Sequence, residues 1–181
     1  MEITLREATP QDASAILALI ETLNEETSFV LINSQAINMS VATMAGEIEA
    51  ISELKNQLLL LATTEDSVVG LATVTTDTDP AIAHIGEIGL SLLKDYWGLG
   101  LGTTMLEELI LWSRTSTDLI RLDIKVQSHN ERAIALYNKV GFSYEGTLRR
   151  AVLTKDNTFA DVDMMGYLLD DDLAPKNEAS D

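Results

Sequence analysis

Three glycines at alternate positions, Gly98, Gly100 and Gly102, follow an apolar run, Ile88-Gly89-Leu90-Ser91-Leu92-Leu93, and precede a segment of helical period. A chain that passes from strand to helix through such a bend turns bare backbone N–H groups outward together, with the positive end of the helix dipole behind them. The bend therefore predicts a phosphorylated ligand held mostly by main chain. It also restricts the fold, because it needs a buried strand before it and an amphipathic helix after it. Other uses of glycine fit less well. The dinucleotide fingerprint places G-x-G-x-x-G near the first strand of a βαβ unit, whereas here the spacing is G-x-G-x-G after several strands, with Asp118 or Asp123 left to imitate the ribose-binding acid. A P-loop needs a Lys after its glycines, and none follows. A bend that serves only to seat the helix on the strand is the remaining alternative.

The elements around the bend can be read in order. Ile3-Thr4-Leu5-Arg6 alternates as a short strand, and Thr9-Pro10-Gln11-Asp12 reads as a helix start with Pro at the first helical position. Ile16, Leu19, Ile20 and Leu23 mark one buried helical face, and Met44, Ile48, Ile51 and Leu54 a second. Between them, Asn24 to Ser40 has no clear period and is expected to be a loop or a short helix at a substrate entrance, where Glu25-Glu26 could meet a cation or simply end a helix. Leu58–Ala62 and Val68–Val74 read as strands, and Ala81–Leu93 as the strand that delivers the glycines. Leu101, Met105, Leu109 and Trp112 share one side of a helix ending near Ser116. Ile120, Leu122, Ile124 and Val126 alternate with charged or polar residues as a half-buried strand. Asn130 is placed to cap a helix Glu131–Val140 that Gly141 closes, and Phe142–Arg149 and Thr158–Leu169 are two final strands. The acidic tail from Asp170 has too little apolar content to pack and is expected to be disordered.

Composition removes several classes of function. The 181 residues, 46% hydrophobic, suffice for one domain with its own core. No apolar run approaches the roughly 20 residues of a membrane helix, and Met1-Glu2-Ile3-Thr4 lacks the regions of a signal peptide. A soluble, cytoplasmic protein with no membrane partner is expected. The absence of cysteine excludes disulfides, thiolate catalysis and Cys-based zinc sites. A net charge of −17, from 12 Lys and Arg against 29 Asp and Glu, opposes a nucleic acid partner and favours cationic ones, amines among them, although solubility alone would also explain it. His84 and His129 lack ligand spacing, so no metal is expected, and with no G-x-S-x-G elbow and no evident His partner for Ser91 a serine hydrolase is not supported.

A second constellation runs Asn130-Glu131-Arg132-Ala133-Ile134-Ala135-Leu136-Tyr137-Asn138-Lys139-Val140-Gly141-Phe142. With it the chain resembles the GNAT superfamily of acetyl-CoA-dependent N-acetyltransferases. That family's diphosphate motif, R/Q-x-x-G-x-G/A, matches Trp97-Gly98-Leu99-Gly100-Leu101-Gly102, and its N-x-R-A-x-x-L-Y-x-x-x-G-F pattern matches Asn130 to Phe142. Leu5 to Asp12 looks like the family's first strand and helix, so the resemblance spans most of the chain and is densest from His84 to Tyr144. It is nearest to the bacterial ribosomal-protein or amino-acid N-acetyltransferases. The match departs at Trp97, where Arg or Gln is usual.

The resemblance implies a GNAT fold of the α/β (α+β) class: a mixed sheet of about seven strands flanked by helices, in a single domain over residues 1–169, with 170–181 as its tail. It implies acetyl-CoA as cosubstrate and direct transfer of the acetyl group to a primary amine on a small molecule or peptide. The amides from Trp97 to Thr103, those of Gly98, Leu99, Gly100, Leu101 and Gly102 included, would hold the diphosphate. The strand edge Leu90, Ser91 and Leu92 would pair with the pantetheine amides, Asn130 would touch the cofactor, and Arg132 could approach its 3′-phosphate. The acceptor must lose a proton that titrates near 8 at a chain end or about 10.4 on Lys. Glu87, acting through water, is the candidate base, with an ordinary strand charge as the alternative. In the ribosomal-protein enzymes the base lies one strand later, where gap-free placement puts Lys125, which cannot take that role. N–H groups near Leu92 would stabilise the oxyanion, and Tyr137 would protonate the departing thiolate. A non-catalytic acyl-CoA sensor is the rival reading, and a homodimer is an expected option because dimers are common in families of this kind.

Overall fold

The computed structural model describes residues 2–29 and 38–169. Among them the chain forms seven strands in one sheet and four α-helices. β1 (Thr4–Glu7) leads through a 3-10 turn, Pro10–Asp12, into α1 (Ala13–Glu26). After α2 (Val41–Ser52) come β2 (Leu58–Thr63), β3 (Val68–Thr76) and β4 (Ile85–Leu92). A second 3-10 turn, Lys94–Tyr96, and the glycine bend deliver α3 (Leu101–Ser116), followed by β5 (Arg121–Gln127), α4 (Glu131–Lys139), β6 (Ser143–Leu153) and β7 (Phe159–Leu168). The strand order is β1-β2-β3-β4-β5-β7-β6, and the sheet is mixed and seven-stranded, as expected.

The strand period divides the core into two layers. On β2, Leu58, Leu60 and Ala62 pack toward α3, whereas Leu61 joins Ile16, Leu19 and Leu23 of α1 and Ile48 of α2. Successive residues of a strand point to opposite faces, so the two helix pairs cover opposite sides of the sheet. The α3 layer is the larger one: Met105, Leu106 and Leu109 lie against Ala72, Val74, Ile88, Leu122 and Ile124.

Every strand pair is antiparallel except β4 with β5, and this exception makes the site. Their parallel pairing covers Ile85 with Arg121, Gly86 with Leu122 and Glu87 with Asp123, and then stops. Beyond Glu87 the two strands part. β4 keeps β3 as its neighbour as far as Leu92, while β5 continues to Gln127 against β7. A wedge is left in the middle of the sheet.

Several boundaries differ from the sequence expectation. The stretch 81–84 is turn, so β4 begins at Ile85, where pairing with β5 can start. Leu54 lies beyond the end of α2 and is exposed, and Ile120 precedes β5 and is exposed as well, so neither belongs to its expected stripe. β6 runs on past Arg149 through a register shift between Leu148 and Val152. The aperiodic stretch after Asn24 is helical to Glu26, Ser40 caps α2 by accepting the Thr43 N–H at 3.1 Å, and 30–37 falls outside the described residues, as does the tail.

Candidate active site

The glycine bend has the conformation its spacing demands. Gly98 and Gly100 take φ of +76° and +84°, in the left-handed region that a β-carbon disfavours. Gly102 is there for another reason: a β-carbon on it would come within 3.0 Å of Leu136 Cδ2, so its lack of a side chain lets α3 pack against α4. Among the described residues no hydrogen bond engages the N–H groups of Gly98, Leu99, Gly100, Leu101, Gly102 or Thr103; intrahelical bonding begins with Thr104 N to Gly100 O at 3.1 Å. The Trp97 N–H is spent on Lys94 O at 3.0 Å. The cradle of free amides therefore begins at Gly98, and Trp97 contributes its side chain instead.

That side chain is held on both sides. Its Nε1 donates to Leu92 O at 2.8 Å, and the Arg132 guanidinium carbon lies 4.7 Å from the ring centroid. Arg132 stands near the start of α4. Seven residues on, two helical turns later, Lys139 reaches Thr103 Oγ1 at 3.4 Å. One face of α4 thus carries a cation to each end of the bend. Asn130 caps the helix through Oδ1, which accepts the Ala133 N–H at 3.2 Å, and it also lines the cleft.

The strand edge follows from register. Leu93 N donates to Val69 O at 3.1 Å, which makes these two a hydrogen-bonded pair of the antiparallel ladder. With regular pairing from Thr76 to Gly70, alternation directs the main-chain groups of Ser91 at β3 and those of Leu90 and Leu92 away from it, into the wedge. The Leu92 carbonyl is taken by the Trp97 indole, so Leu92 keeps its N–H for the cleft. Ser91 offers the cleft no main-chain group and lines it with its side chain.

The resulting cleft, about 750 Å³, runs from the bend between β4 and β5 to the end of α1. Tyr137 is 7% exposed, packed 6.2 Å from the Phe142 ring, and its hydroxyl has no partner among the described residues. Burial pushes its phenol up to about 12, so it is a proton donor rather than a phenolate across the neutral range. Glu87 also lines the cleft, and its Oε2 accepts from Lys125 Nζ at 2.6 Å across the vertex of the wedge. Sequence spacing gave no sign of this pair, nor of Glu26, whose carboxylate accepts the Lys94 N–H at 2.9 Å and fixes the turn before the bend. Both contacts join residues far apart in the chain and exist only once the sheet and helices are assembled. Glu25 is exposed at the end of α1.

The acetyltransferase (GNAT) family matches residues 21–142. A GNAT-family acetyltransferase of Streptococcus pneumoniae, 34% identical, superposes with a TM-score of 0.88 over 92% of this chain and 99% of its own. The Salmonella typhimurium protein yncA, solved with its cofactor acetyl-CoA, is 21% identical, with a TM-score of 0.82 over 97% of this chain and 98% of its own. The N-acetyltransferase p20 of Bacillus licheniformis, itself uncharacterized, is 38% identical over 63 residues, a stretch that is 35% of either protein.

Proposed function

Since the chain belongs to the acetyltransferase (GNAT) family, we propose that its wedge-shaped cleft receives acetyl-CoA and transfers the acetyl group directly to a primary amine. The observation that carries this reading is the row of unengaged N–H groups from Gly98 to Thr103, at the head of α3 and beside the open edge of β4. Anionic oxygens placed there gain main-chain donors and the positive end of the helix. Leu90, with both of its main-chain groups facing the wedge, pairs with the extended, amide-bearing arm of the coenzyme as an added strand would, and Asn130 borders that arm from α4.

The acceptor enters from the side of α1, where Thr27, Phe29 and Thr73 line the cleft. Its ammonium gives a proton to Glu87 through water; Lys125 holds Oε2 and leaves Oε1 to accept. The neutral amine then attacks the thioester carbonyl. The Leu92 N–H faces the oxyanion that forms. Collapse breaks the carbon–sulfur bond: the Tyr137 phenol, kept protonated by burial, gives its proton to the thiolate, and the extra proton on the new amide nitrogen leaves through water to restore the phenol.

Thiol release measured with acetyl-CoA over pools of primary amines tests the reading. An active pool should appear, and Tyr137→Phe should lower kcat about a hundredfold with CoA affinity retained. Full turnover in that variant would remove Tyr137 from the chemistry.

A further inference from the structure

The bend departs from the family pattern at its first residue, and the structure shows what stands in for the missing side chain. Trp97 has no charge, and its one side-chain donor is committed to Leu92 O at 2.8 Å. It cannot itself contact an anion as an Arg would. The face of its ring, however, carries the Arg132 guanidinium at 4.7 Å from the centroid. A β-carbon added to Gly98 would lie 3.5 Å from Arg132 Nη2, so the guanidinium is against the first residue of the amide cradle. Among the described residues Arg132 makes no hydrogen bond and no ion pair, in a chain where acids outnumber bases 29 to 12. An aromatic face fixes a cation without consuming its N–H donors, whereas a carboxylate would occupy them.

We propose that Trp97 is a positioning residue that holds Arg132 against the coenzyme diphosphate, so that the cation usual at the first motif position is supplied here from α4. The assignment rests on the acetyl-CoA reading above. It also moves Arg132 from the 3′-phosphate, where the resemblance placed it, to the diphosphate, because Gly98 belongs to the bend and the 3′-phosphate lies on the far side of the ribose. The indole bond to Leu92 and the guanidinium stack form one chain of contacts from strand β4 through the bend to α4. The same ring that closes the Leu92 carbonyl therefore orients the charge.

Titration calorimetry of the full chain with CoA and with dephospho-CoA, which keeps the diphosphate and lacks the 3′-phosphate, tests this directly. Arg132→Gln should weaken both ligands by the same factor, about tenfold or more. Trp97→Leu should reproduce most of that loss, Trp97→Phe should restore much of it by returning an aromatic face without the indole N–H, and the Trp97→Leu/Arg132→Gln double variant should bind no worse than Arg132→Gln alone. A loss for CoA that is absent for dephospho-CoA would put Arg132 on the 3′-phosphate and overturn the proposal. So would losses that multiply in the double variant. Wild-type protein that binds neither ligand would instead defeat the acetyl-CoA reading beneath it.

Discussion

Gly100 shows how much a single residue of the bend decides. Its φ of +84° is strained for any L side chain, yet a β-carbon there would meet nothing within 4 Å. The space beside it is open, and Gly100 lines the cleft together with Gly98, Gly102 and Thr103. Gly100→Val therefore imposes strain and fills the approach to the amides. CoA affinity should fall at least tenfold, about 1.4 kcal/mol, in a protein that still melts cooperatively; unchanged affinity in calorimetry would count against the main-chain cradle. Tyr137 makes a prediction of a different kind. Burial disfavours its phenolate and raises it from 10.0 to about 12, so it stays protonated through the whole working range. The pH profile of kcat should show no alkaline fall belonging to Tyr137 below about pH 11, and a limb near pH 10 that vanishes in Tyr137→Phe would contradict its burial.

Among the elements, the join between β1 and α1 is fixed by a clasp of charge. Arg6 bonds both oxygens of Asp12, at 2.8 and 2.7 Å, and Asp12 also accepts the N–H and the hydroxyl of Thr9 at 2.8 and 2.9 Å. The Arg6 bonds, followed by those from Thr9, hold the Asp12 carboxyl well below its usual 3.8. A carboxyl depressed in the folded state adds stability that is fully present above its unfolded value and is lost as pH falls toward the folded one. Asp12→Asn should accordingly melt below the wild type at neutral pH, and the gap should narrow once the pH drops below about 4. A gap that stays constant down to pH 2 would refute the clasp. The capping acid at Asp12 was legible from Thr9-Pro10-Gln11-Asp12 because its partners on that side are local. Arg6 was not, since only the turn of the chain after β1 brings it back to the helix start. The apolar stripes obeyed the same rule: Ile16, Leu19 and Leu23 are buried as spaced, whereas Leu54 and Ile120 continue the pattern past the ends of their elements into solvent.

For the molecule as a whole, a net charge of −17 has to be reconciled with a polyanionic ligand. The reconciliation is local. α4 lays Arg132 and Lys139 at the two ends of the bend, and the amides between them add the head of α3. Acetyl-CoA should raise the melting temperature of the full chain, by an amount that grows with its concentration, and NAD should not; the reverse result would favour a dinucleotide site. The sequence by itself determined the helices and strands near the site, the bend, the Asn130 cap and the family resemblance, because each depends on residues close together in the chain. Which amides stay free follows from the 3-10 turn Lys94–Tyr96, where Trp97 folds back on Lys94 and Leu92, a local backbone geometry that the residue types alone did not announce. Only the tertiary structure decided that Glu87 pairs with Lys125 and that Arg132 rests on Trp97. These contacts bridge 38 and 35 residues of chain respectively, and no local pattern encodes them: they arise where β4 and β5 part and α4 packs across the gap.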